Sequence, residues 1–152
     1  MARIYLLSKP TSMIKLMYTV DQAVGPGCPN QRDDVALVQF FVRADMEDSK
    51  DYQIPAGPPL SIDGICGPRT ILYIKSWLQQ ESKIASNMMI PVQDGVISPV
   101  TNRSGIGSLS HVRYSIVSLN VIYGSVNGVE KHANIANDPR CPTALLPSIF
   151  WR

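Results

Sequence analysis

A chain of 152 residues, 45% hydrophobic and 17% charged, is long enough to bury a core and reads as one compact unit. Its formal charge of +2, with no Lys/Arg run and no RNA-binding signature, argues against a nucleic-acid partner. No apolar stretch approaches the ~20 residues that span a bilayer, so no membrane span is expected.

The chain opens with two apolar runs, Ile4-Tyr5-Leu6-Leu7 and Met13 to Val20, that read as strands joined by a Pro-Thr-Ser turn. This predicts a β-hairpin extension over residues 1–23. A Gly-Pro-Gly-Cys turn ends at Cys28, and a helix is predicted over 33–44. Asp33 and Asp34 stand in its first turn, and Val35, Leu37, Val38, Phe41 and Val42 form a wide apolar stripe.

Next comes Asp63-Gly64-Ile65-Cys66-Gly67-Pro68-Arg69-Thr70. Gly tolerates positive φ, Asp bonds its own backbone, and Pro suits the first turn of a helix. A second helix is predicted over 68–81, with Ile71, Ile74 and Leu78 on one face and Trp77 beside them. Thirty-one residues after the first octet, Asp94-Gly95-Val96-Ile97-Ser98-Pro99-Val100-Thr101 repeats its chemistry. Two such octets read as an internal repeat, with the turns expected to pack near each other.

Residues 103–110 are a Gly/Ser linker. A third helix is predicted over 110–123 from the spacing of Val112, Ile116, Leu119 and Ile122 or Tyr123, capped by Ser110 and stopped by Gly124. The rest is a turn-rich tail with an apolar end, Ile149-Phe150-Trp151.

The order helix, Asp-Gly turn, helix, second Asp-Gly turn resembles the peptidoglycan-binding domain family over roughly residues 24–102. That family's pattern is a Val-x-x-Leu-Gln helix, an Asp-Gly-x-x-Gly-x-x-Thr turn and an Ala-Val-x-x-Phe-Gln helix. Here Val35, Val38-Gln39, Asp63-Gly64, Gly67, Thr70, Trp77 and Gln79 stand at or near those positions. The resemblance implies a mainly α fold: a small orthogonal three-helix bundle, here with the N-terminal hairpin and an irregular tail. Residues 103–152 would supply the third helix and the tail packed on it. The resemblance also implies that Trp77 is a core residue.

Catalytic machinery is hard to assemble from these residues. Only His111 and His132 are available as imidazoles, both read as surface side chains, and there is no His-Glu-x-x-His. Glu47, Glu81 and Glu130 stand in charged or polar surroundings that read as solvated, unlike a carboxylic acid with a raised pKa. Cys28 and Cys141 each precede a proline in a turn, away from a helix start that would activate a thiolate. No phosphate-binding loop appears. The chain reads as a non-enzyme with no cofactor or metal, and Asp63, Gly64, Gly67, Asp94 and Gly95 as turn formers. The three cysteines fit either free thiols or a Cys28–Cys66 bridge, since both precede helices that approach each other in the resembled fold.

For ligand binding, Arg69, Tyr73 and Gln80 share a face of the second helix and Arg43 can join them from the first. Arg and Gln read amides and carboxylates, and aromatic rings stack on sugars. The competing reading makes Arg69 a solvated helix-start residue and Tyr73 a half-buried one. Two functions follow as expectations. One is a non-catalytic module binding the glycan or stem peptide of peptidoglycan, targeting or anchoring a larger assembly. The other is a structural subunit of a phage tail, baseplate or contractile injection machine, with Ile149, Phe150 and Trp151 as contacts to protein partners. The first ten residues lack the features of a signal peptide, which implies cytoplasmic synthesis and arrival at the wall by lysis, a secretion machine or a virion.

Overall fold

The computed structural model describes residues 1–7, 11–84, 92–100 and 114–149. It is mainly helical with one two-stranded antiparallel hairpin at the N-terminus. Strand β1 (Arg3–Leu6) pairs with β2 (Leu16–Thr19) in the register Arg3↔Thr19 to Leu6↔Leu16. Thr11 organises the start of the return strand, its hydroxyl accepting from the Met13 and Ile14 N–H groups at 3.2 and 3.0 Å.

Helix α1 (Arg32–Asp48) is central and packs against both α2 (Pro68–Ile84) and α3 (Ser115–Asn127). A stripe was expected on α1, but all residues from Asp34 to Val42 are buried. A helix apolar all round belongs inside a core, and here neighbours cover it on several sides. Its first-turn carboxylate does more than complement the helix dipole. Asp34 accepts from the Asp21 and Gln22 N–H groups at 2.9 and 3.0 Å, tying the exit of β2 to the helix start. The helix also runs a turn beyond the predicted end, burying Ala44, Asp45 and Met46.

Helix α2 begins at Pro68 as predicted, and its buried stripe is Thr70, Tyr73, Ile74, Trp77, Leu78 and Glu81. Ile71, expected on the apolar face, is only half-buried at its edge. Trp77 is fully buried in the core that also holds Val35, Val38 and Val42, and it stacks on Tyr52 with ring centroids 6.3 Å apart.

Helix α3 starts at Ser115, later than expected, and residues 101–113, with Ser110 and His111, lie outside the described residues. It does not stop at Gly124. That glycine lies inside the helix because a Cβ there would fall 2.2 Å from the Met13 carbonyl oxygen. The hairpin needs that closeness, and Gly128, with φ 97°, ends the helix instead. Asn120 on α3 then acts as a third strand for β2. Its amide accepts from Tyr18 N–H at 2.9 Å and donates to the Tyr18 carbonyl at 2.8 Å.

After α3 come α4 (Val129–Ala133), two 3-10 turns (Ile135–Asn137 and Thr143–Leu145) and the short α5 (Leu146–Ile149), which touches β1. Hairpin, helices and tail share one hydrophobic core. Among the described residues no helix is long and apolar enough to cross a membrane.

Candidate binding surfaces around the Asp-Gly turns

The buried amide of Gln39 joins α1 to the first Asp-Gly turn. Its oxygen accepts from the Asp63 and Gly64 N–H groups at 3.1 and 2.9 Å. Its nitrogen donates to Asp63 Oδ1, the Ile65 carbonyl and Thr70 Oγ1 at 3.0, 3.0 and 2.9 Å. A primary amide is the one side chain that offers donors and acceptors side by side in a plane, so it can satisfy both polarities of a turn. Asp63 also accepts from Ile65 N–H at 2.9 Å, and these bonds hold its carboxyl below the usual range.

Gly64 has φ 77°, and a Cβ there would meet the Arg32 carbonyl oxygen at 2.7 Å, so the turn presses on the start of α1. Gly67 has open space around it, and its carbonyl accepts from Ile71 N–H at 3.0 Å as α2 begins.

The second turn repeats the local geometry. Val96 N–H donates to Asp94 Oδ1 at 3.0 Å, and Gly95 has φ 74°. It is docked by an antiparallel bridge between Val24 and Ile97, with N···O distances of 3.0 and 2.8 Å. A Cβ on Gly25 would fall 2.6 Å from the Gly95 carbonyl oxygen, so the Gly-Pro-Gly loop presses on this turn. Cys28 lies in that loop and Cys66 in the first turn. Both are free thiols, as is Cys141, and all are half-buried. Burial pushes each thiol up, Cys141 to about 11.

The four residues expected to face a ligand converge, but on the chain's own loop between α1 and α2. Arg69 Nε donates to the Pro58 carbonyl at 3.0 Å and Nη1 to the Ala56 carbonyl at 2.8 Å. Its guanidinium carbon lies 5.0 Å from the centroid of the Tyr73 ring. Tyr73 is therefore covered, at 2% exposure, rather than presented on an open face. Gln80 pairs with the Gln53 backbone in both directions, at 2.7 and 2.9 Å. Arg43 donates to the Leu60 carbonyl at 3.0 Å and pairs with Glu47. Most of the hydrogen bonding assigned to a ligand by sequence is spent holding residues 53–60.

Beside the first turn an open cleft of about 430 Å³ lies between the start of α1, the turn and the tail. Arg32, Asp33, Asp63, Pro142 and Ser148 line it. Asp33 is already engaged by Ala2 N–H at 3.2 Å and the Ser148 hydroxyl at 3.0 Å, whereas Arg32 is exposed. Ile149 is buried in the chain's own core at 6% exposure, while Phe150 and Trp151 lie outside the described residues.

Set beside protein-family models, curated proteins and solved structures, the chain matches none. The functional reading rests on its own residues. Three further polar groups escaped the sequence reading. His132, expected on the surface, is fully buried in an aromatic cage with Tyr18, Phe41 and Tyr123, and contacts Asn120 Oδ1 through Nε2 at 2.9 Å. Glu81, expected to be solvated, is buried and receives the Tyr52 hydroxyl. Asp45 lies in the same interior region, and among the described residues neither carboxylate oxygen has a partner of normal hydrogen-bond geometry. No sequence signal marked them: His132 stood in a polar stretch, Asp45 just past the predicted end of the first helix and Glu81 at the end of the second.

Proposed function

We propose that the chain is a non-catalytic peptidoglycan-binding module that targets or anchors a larger assembly at the cell wall. In this reading α1, α2 and α3 form the orthogonal bundle of the peptidoglycan-binding domain type, extended by the hairpin and tail. The Gln39 hub supports it most directly. The helix glutamine, the Asp-Gly pair and the threonine that carry the resemblance form one hydrogen-bonded unit. The cleft beside that unit is the contact surface. Exposed Arg32 and the carboxylate of Asp63 give it both charges, matching a stem peptide that carries amines and carboxylates.

The test is co-sedimentation with insoluble sacculi. The protein should pellet with them, and Arg32→Ala should lower the bound fraction severalfold at an unchanged unfolding midpoint. Wild-type protein left wholly in the supernatant would refute the reading. A structural subunit of a phage tail, baseplate or injection machine is the second reading. Ile65 and Leu72, 64% and 46% exposed near the start of α2, favour it because a partner could cover them. It calls for self-association or partner capture that Leu72→Lys abolishes, with no pelleting.

A further inference from the structure

The end of α1, α3, α4 and the tail line an open cavity of about 660 Å³. That volume lies within the range of about 300–1,000 Å³ typical of small-molecule sites. Its base is a fixed ionic network. Arg140 donates to Asp48 Oδ1 at 3.0 Å and Asp48 Oδ2 at 2.7 Å, and to Asp138 Oδ2 at 2.8 Å. Tyr123 adds its hydroxyl to Asp138 at 2.7 Å. One guanidinium faces two carboxylates, so the base is hydrogen-bonded throughout and keeps a net negative charge that disfavours an anion.

The groups with spare capacity lie on the rim. The side chain of Asn137 makes no hydrogen bond among the described residues. Asn134 and Asn127 spend their NH₂ groups on the Glu130 carbonyl and Asp48, which leaves both amide oxygens open. Lys131 lines the same cavity with no carboxylate partner among the described residues. Planar amides and an ammonium offer both donors and acceptors around one opening. Vicinal hydroxyls, each both donor and acceptor, match that mixture. Exposed Pro139 supplies an apolar edge for C–H faces.

We propose that this cavity binds a neutral, hydroxyl-rich ligand of one or two sugar rings. The site takes Glu47 and Asp48 from the end of α1 but uses none of the residues of the cleft beside Gln39, so Asn137→Ala tests it without touching that cleft. A peptide would meet the same amides, but no strand edge lines the cavity to pair with its backbone. A phosphate would face a base whose guanidinium is already paired with two carboxylates.

The test is a two-dimensional amide NMR titration of the full chain with glucose, galactose, mannose, N-acetylglucosamine and maltose. Parallel arms use end-blocked trialanine and inorganic phosphate. At least one sugar should give saturable shifts concentrated in residues 123–140, including the Asn137 NH₂ pair, with a Kd of roughly millimolar order for so small a ligand. Asn137→Ala and Lys131→Ala, both at exposed positions, should each weaken that Kd about tenfold or more. Their unfolding midpoints should match wild type. The absence of saturable shifts with every sugar would overturn the proposal, as would shifts outside this region or shifts unchanged in Asn137→Ala. Saturation by trialanine or phosphate without sugar binding would reassign the cavity to those ligands.

Discussion

Asp45 shows how much one buried carboxyl can cost. It is 1% exposed on α1, and among the described residues neither oxygen makes a hydrogen bond of normal geometry, the Trp77 indole N–H beside it being a weakly placed donor. Burial, followed by the nearby carboxylates of Glu81 and Asp48, pushes its pKa well above the ordinary carboxylate value, against the weaker opposing influences of Arg140 and Trp77. Asp45→Asn keeps the shape, removes the charge and adds a donor that can face acidic neighbours. An unsatisfied buried polar group costs about 1–3 kcal/mol, so the variant should be more stable at pH 7 by that order. Urea denaturation with an unchanged m-value measures it. A less stable Asn variant would mean that the carboxylate holds an essential bond within the fold. Nothing local in the sequence marks Asp45, because an aspartate in the last turns of a helix ordinarily points to water.

Between α1 and α2, the loop from Ser49 to Gly67 is long for a connection inside a small domain, and side chains rather than sheet or helix hydrogen bonds hold it. Arg69 grips three of its carbonyls, those of Pro55, Ala56 and Pro58. Gly57 suits this loop because its φ of 105° is a conformation that an L side chain rarely adopts, and a Cβ there would also lie 3.2 Å from Arg69 Nη1. Arg69→Ala should release this segment without melting the helices. Hydrogen exchange of peptides covering residues 53–60 should quicken, while peptides from the middle of α1 and α2 keep wild-type protection. Unchanged exchange in the loop would show that Gln80 and the apolar contacts suffice. This element also marks where sequence reading stopped. The helices over 33–44 and 68–81 were legible because an apolar period of 3.6 is a local signal, and Pro68 fixed a helix start. The common neighbourhood of Arg43, Arg69, Tyr73 and Gln80 was legible from helical spacing too. What they touch was not, since the path of an irregular loop depends on partners distant in sequence. The Gln39 hub was accessible only through the spacing of the resemblance, because an isolated glutamine on a helix carries no sign of what it will bind.

Across the whole molecule, acid stability should be a balance of two buried groups with opposite signs. His132 is fully buried, and burial lowers its pKa from 6.5 to about 4. Between those values the unfolded chain binds the proton and the folded one does not, so this contribution is complete above pH 6.5 and is lost towards pH 4. Its full size is roughly 3 kcal/mol for a shift of that order. Asp45 acts the other way. Its folded pKa is raised from 3.8, so its contribution is greatest below that value and falls as pH rises through the raised folded value. Asp34, raised mainly by burial and held back by two backbone hydrogen bonds, adds to the same side. Asp138 enters only in stronger acid. Burial raises it, but Arg140 and the Tyr123 hydroxyl outweigh that and hold it near 2, so its stabilisation is lost from about pH 4 downwards. Above pH 4.5 the histidine and aspartate contributions to wild-type stability therefore have opposite slopes. His132→Phe, which fits the aromatic cage, should leave stability falling as pH rises. Asp45→Asn should leave it rising with pH. Urea midpoints at pH 4.5, 5.5 and 6.5 give all three slopes, and parallel profiles in wild type and both variants would refute this balance. Beside Asp34 and Glu81, this mainly aliphatic and aromatic core holds the ionisable groups His132 and Asp45. Each is destabilising at one end of the range, and the tail that carries His132 closes over α1, the helix that carries Asp45.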